Sequence, residues 1–229
     1  MKNKFYDQFK FMSSLLLFFS IVSSVIIASR YMFFDDRSLM FLIWNIFLSW
    51  VPYIISLIIY RRKMIIKRGR SWVNHLLTLM WLFFYPNTLY IITDALHIKS
   101  RVDYYFNNDI VVMDNGGWLK FWLLIFVILL GFIMGIISLY AMQNILDSNY
   151  GPLFSWGFVA IVMVLSSYAI YIGRYLRLNS WDILNPIKLF NNVIQTLHMD
   201  MLSFVGLFTM MLLCVYVLFY NLISLRKGA

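Results

Sequence analysis

The chain of 229 residues has one cysteine, Cys214, so no disulfide can form within it, and cysteine usage carries no information about redox compartment. Cys214 lies deep in the last apolar block, where a thiol behaves as a small apolar group. Charge is scarce: 13% of residues are Asp, Glu, Lys or Arg, which leaves little material for a soluble domain. No Ser-His-Asp order, nucleophile elbow, phosphate loop or dinucleotide fingerprint occurs, and no cofactor is implied. No His-Glu-x-x-His spacing is present either, so no metal is expected. The first apolar run lacks a small-x-small cleavage site and is too long for a signal h-region; it reads as a retained anchor.

What is abundant is apolar. Hydrophobic residues make up 62% of the chain and the mean hydropathy is +0.77, in long blocks rather than at amphipathic spacing. A bilayer core takes about 20 apolar residues per helix, and blocks fall at about 11 to 29, 38 to 59, 72 to 93, 118 to 142, 153 to 172 and 201 to 224. The expected fold is all-α: a polytopic membrane bundle of six transmembrane helices in a single integral domain over residues 1–229. A short outer interfacial helix is expected after Asn185-Pro186, an N-cap followed by Pro at the first helical position, with Ile187, Phe190, Ile194 and Leu197 on one face.

The net charge of +9 follows membrane topology. Arg61, Arg62, Lys63, Lys67, Arg68 and Arg70 crowd the loop after the second block; with Lys2, Lys4, Lys10, Arg226 and Lys227 they place both termini in the cytoplasm. No nucleic-acid-binding motif accompanies the charge, so no nucleic acid partner is expected, whereas membrane lipids, anionic ones at this loop, are. Oligomeric state is not legible.

Polar residues inside the blocks are the informative ones. Ser13, Ser20 and Ser24 share a face of the first, and Asn45, Ser49, Pro52 and Ser56 line up in the second as a packing seam or the wall of a path. In the fourth, Gly131, Gly135 and Ser138 permit close approach of another helix within the bundle. The turn from Arg30 to Arg37 is expected to be solvated, and the polar stretch from Ile98 to Gly117 to be an outer loop ending in the turn Asn115-Gly116-Gly117.

The third block runs into polar groups without a break. At about 100° per residue, Asn87, Tyr90, Asp94 and His97 share a narrow arc, with Pro86 kinking the helix beneath them. The fifth ends in Arg174, Arg177, Asn179, Trp181 and Asp182, predicted on the same outer side. Together these residues form the candidate ligand-binding site. No inverted repeat relates the two halves, so internal symmetry lends a transporter no support.

The segments Trp44-Asn45, Phe84 to His97 and Gly173 to Asp182 together resemble a bacterial membrane family known as domain of unknown function 1361. Its pattern has a Pro-Asn-x-x-Tyr-x-x-Thr-Asp-x-x-His run and a Gly-Arg-x-x-Arg-x-Asn-Ser-Trp-Asp run, both present here. Where the family carries a Trp-Tyr-Asp-like triplet after the histidine, this chain has Val102-Asp103-Tyr104-Tyr105 and Asn108-Asp109. The resemblance implies a multi-pass protein of the bacterial cell membrane and supplies no established activity.

Three readings of the outer cluster stay open. It is an ion-pair network that fixes the bundle of a structural or assembly subunit. Alternatively it is a pocket for an anionic lipid headgroup, a lipid-linked precursor or a small anion, held by arginine forks. If that pocket were catalytic, His97 would be the acid or base and Asp94 the group orienting it. A metal site would draw on Asp94, His97, Asp182, His198 and Asp200, against the repulsion of two nearby arginines. Whether the protein is an enzyme is left undecided.

Overall fold

A computed structural model describes residues 2–66, 72–98, 102, 104–107, 110–175 and 199–228. Its helices are α1 (Lys2–Phe34), α2 (Met40–Tyr60), α3 (Trp72–Phe84), α4 (Pro86–Tyr90), α5 (Asn115–Tyr150), α6 (Pro152–Tyr175) and α7 (Met199–Gly228). A π turn, Arg61–Ile65, extends α2, and a 3₁₀ helix, Ile91–His97, extends α4. Among the described residues six helical segments are long and apolar enough to cross a bilayer: Phe9–Phe34, Met40–Met64, Trp72–Leu96, Asn115–Tyr150, Pro152–Arg174 and Met199–Ile223. The expected all-α architecture of six spans is what the chain forms.

The chain divides into two compact units, Met1–Ala141 and Met142–Ala229. In the first, α1 lies on α2 through polar contacts set in an apolar seam. Ser13 Oγ and Tyr53 OH are 2.9 Å apart, and Trp50 Nε1 donates to Ser20 Oγ at 3.0 Å. Ser23, rather than Ser24, is the buried member of the neighbouring serine pair. Phe9 stacks on Tyr60 with ring centroids 6.0 Å apart, tying the start of α1 to the far end of α2.

The small residues of α5 do what their spacing predicts. A Cβ on Gly131 would stand 2.9 Å from Ile91 Cδ1 and 3.0 Å from Ser49 Oγ; on Gly135 it would stand 2.5 Å from Thr88 Oγ1. Ser138 Oγ accepts Trp81 Nε1–H at 2.8 Å and donates to the Pro52 carbonyl at 3.1 Å, linking α3, α5 and α2. The seam of α2 is closed by this packing: Ser49 and Ser56 are buried and bond the backbone of their own helix at Asn45 and Tyr53.

Two loops differ from expectation. β1 (Tyr105–Asn107) and β2 (Ile110–Val112) pair as short antiparallel strands, Phe106 opposite Val111. Asn115-Gly116-Gly117 is not a turn but the first turn of α5, because Asp114 Oδ1 accepts the Gly117 N–H at 2.6 Å and caps the helix. The link between α5 and α6 shrinks to Gly151, whose φ of +85° is the left-handed value glycine adopts without strain, with Pro152 following as the first helical residue.

In the second unit α6 packs on α7. Thr209 Oγ1 donates to Ser167 Oγ at 2.9 Å, and Tyr216 OH donates to Gln143 Oε1 at 2.5 Å. Trp156 packs edge-on against Tyr216 and Tyr220, and Tyr171 meets Phe204. The expected interfacial helix after Asn185-Pro186 lies outside the described residues.

Candidate functional site

Helix alternation brings the end of α1, the start of α2, the end of the 3₁₀ helix and the start of α5 to one end of the first unit, the Asp36 end. The third span does not reach it as a continuous α-helix. Pro86 has no N–H to give the preceding turn, so α3 stops at Phe84 and a new five-residue helix begins. Asn87 Nδ2 donates to the Phe84 carbonyl at 3.1 Å, and Thr88 Oγ1 to the Tyr85 carbonyl at 2.8 Å, satisfying acceptors at the break. From Ile91 the backbone tightens to 3₁₀, where residues three apart eclipse.

This alters the predicted polar arc. Asn87 turns back on its own backbone, and the arc Asn87–Tyr90–Asp94–His97 drawn on a continuous α-helix does not form. The 3₁₀ register instead places the backbone positions of Asp94 and His97 in one column; the His97 side chain is not described. Tyr90 is half-buried, and its carbonyl accepts Thr93 Oγ1 at 2.7 Å.

Asp94 is 2% exposed, far more buried than an interfacial position implies. Asn45 Nδ2, one and a half turns into α2, donates to Asp94 Oδ2 at 2.5 Å. A carboxylate in so apolar a place needs such donors, because burial without them costs several kcal/mol, about 2–7 for a neutral polar group alone. The helices that carry the pair also give Leu42, Ile46 and Ile91 to one buried apolar cluster with Ile27 and Leu124.

A second polar group lies at the same end. Asp35 adopts a left-handed φ of 49°, a conformation short acidic side chains tolerate, and the chain turns back so that the Asp36 N–H bonds the Arg30 carbonyl. Asp36 Oδ2 then accepts Arg30 Nη2 at 2.8 Å, Arg30 Nε at 3.2 Å and Lys120 Nζ at 3.0 Å, while Oδ1 accepts the Ser38 N–H at 3.0 Å. Burial pushes the Asp36 carboxyl upward, yet the hydrogen bonds from Ser38, Arg30 and Lys120 outweigh it and hold the group well below the usual carboxylate range. Of the charged residues in the stretch from Arg30 to Arg37, Asp35 and Arg37 are an exposed pair 3.4 Å apart, whereas Asp36 is the centre of a mostly buried ion cluster.

Of the remaining predicted residues, Arg174 sits half-exposed in the last turn of α6. Arg177, Asn179, Trp181, Asp182 and His198 lie outside the described residues, and Asp200 is exposed in the first turn of α7. Asn45, Arg30, Asp36 and Lys120 were not among the predicted site residues. The signal for Asn45 was its place beside Trp44 in the family-like segments, and for Lys120 a lone cation about one and a half turns into an apolar helix.

Six apolar helices with polar groups gathered at helix ends define a multi-pass helical membrane protein. The chain belongs to the family described as Protein of unknown function (DUF1361), whose family model matches residues 44–215. That match takes in Asn45, the Pro86–His97 run, Lys120 and the Gly173–Asp182 run. No curated protein and no solved structure matches the chain.

Proposed function

We infer that this protein sits in a bacterial cell membrane with both termini inside and binds a phosphate- or carboxylate-bearing group at its outer face, such as an anionic lipid headgroup, a lipid-linked precursor or a small anion. Charge supports the orientation: eleven Lys and Arg stand against Asp7 and Asp147 on the inner segments, and eight against eight Asp on the outer ones, so the whole net charge is inside. The observation that carries the binding reading is the cluster at Asp36, where two cations converge on one carboxylate oxygen in a poorly hydrated place. A cation-rich site of low hydration favours an anion more strongly than an exposed one. Arg174 and Arg177 are the second unit's candidates for planar two-point contact with such a group, and Asn87, Tyr90, Asp94 and His97 in the first unit and Asn179, Trp181 and Asp182 in the second are the further ligand-binding candidates.

A second reading, an ion-pair network with no ligand, draws support from the Asn45–Asp94 bond, which already occupies one carboxylate oxygen. The two part at Arg177→Lys, which keeps the charge and removes the fork. Under the binding reading this variant keeps wild-type yield and loses saturable binding of glycerol 3-phosphate by calorimetry in detergent. Equal binding by wild type and variant, or none by wild type, rejects the pocket and leaves the network.

A further inference from the structure

We propose that the opposite end of the first unit carries a separate docking surface for the phosphate of an anionic phospholipid, formed by Arg61 and Lys63 on the π turn. The buried face of α2 runs through Ser49, Pro52, Tyr53, Ser56, Ile59 and Tyr60, a spacing of three and four. Continued as an α-helix, that face would reach Lys63 next and drive its ammonium into the core. The backbone inserts a π turn instead, with the Ile66 N–H bonding the Arg61 carbonyl at 3.0 Å, and the inward position moves one residue on, to Met64, which is buried.

The π turn thus holds three successive cations on the rim of the bundle. They are not equivalent. Arg62 Nε donates to Asn74 Oδ1 at 2.9 Å, and Asn74 is buried in the first turn of α3, so Arg62 is used to fix that helix against the turn. Arg61 is exposed, Lys63 is half-exposed, and neither has an ion-pair partner among the described residues. Two residues before Asn74, Trp72 at the start of α3 is 76% exposed, as an aromatic at the headgroup level would be. Charge complementarity at a bilayer surface selects the occupant: two cations with no ion-pair partner among the described residues, together with an exposed aromatic, meet the headgroup phosphates of anionic lipid. This requires no assignment of leaflet and does not depend on the site at the Asp36 end.

The test uses the full-length protein in phosphatidylcholine nanodiscs with rising phosphatidylglycerol, reading the apparent lipid affinity from the shift of the thermal midpoint. Losing each cation near a membrane surface weakens attraction about fivefold, so R61Q/K63Q should weaken the response about 10- to 30-fold while its midpoint in phosphatidylcholine alone stays at the wild-type value. Arg61→Lys with Lys63→Arg keeps both charges and should keep the response; its loss there overturns the proposal, including where R61Q/K63Q fails to fold. An undiminished response in R61Q/K63Q also overturns it, and if R177K then abolishes that response, the lipid is held through Arg177 instead. Inorganic phosphate reproducing the full shift would show recognition of a free anion and overturn the lipid assignment.

Discussion

Asp36 shows how a carboxylate can be set by its neighbours more than by its exposure. Two cations and a backbone N–H meet its two oxygens, and the charged form is favoured. Because the folded group titrates below its unfolded counterpart, its contribution is fully present above about pH 4, the ordinary carboxylate value, and is lost as the pH falls further. Asp36→Asn should therefore cost about 1–3 kcal/mol at neutral pH, the worth of hydrogen bonds to a charged group. The gap from wild type, read by thermal or denaturant unfolding across pH 7 to 3, should narrow below pH 4; a gap that does not change with pH would contradict the assignment. From sequence, Asp35 and Asp36 are indistinguishable acids between two arginines. Only the left-handed turn at Asp35 and the arrival of Lys120, more than eighty residues away, separate them.

At the scale of elements, the helices of the first unit are held as much by small-residue approach as by apolar burial. With lipid outside, apolar surface gains little by leaving one hydrocarbon for another, so close van der Waals packing and interhelical hydrogen bonds select the arrangement. Gly135 is the tightest point: Thr88 is pinned by its bond to the Tyr85 carbonyl and cannot swing away from an added methyl. Gly135→Ala should destabilise by about 1–3 kcal/mol. Gly157→Ala, where a Cβ would meet nothing within 4 Å, should be neutral or slightly stabilising. Equal melting temperatures for the two variants in the same detergent would remove the argument. Gly131, Gly135 and Ser138 were legible as a seam because their spacing is helical. Their partner was not, since the break at Pro86 that presents Thr88 to Gly135 changes the register of every residue after it. For the same reason Asn87 was assigned to a polar face it does not join. The π turn after Tyr60 escaped a reading based on 3.6 residues per turn, although Lys63 at an inward position was the sign that the α register must change.

For the molecule as a whole, orientation is the property on which the functional proposal depends. In a Cys214→Ala background, Asp35→Cys should react with a membrane-impermeant maleimide in intact cells, and Ile66→Cys only after permeabilisation; the opposite pattern would invert the topology. Both sites are exposed, so access is decided by the membrane. The sequence by itself determined the number of spans, the all-helical class, the family and the packing seams, because block length, apolar content and 3.6-residue spacing are local properties that a bilayer reads directly. Tertiary structure alone decided that Asn45 meets Asp94, that Arg30 and Lys120 share Asp36, and that Arg62 is spent on Asn74 while Arg61 and Lys63 stay on the rim. Those pairings join residues 6 to 84 positions apart, and their geometry is set by a proline break, a π turn and a left-handed residue whose consequences appear only when the helices are assembled.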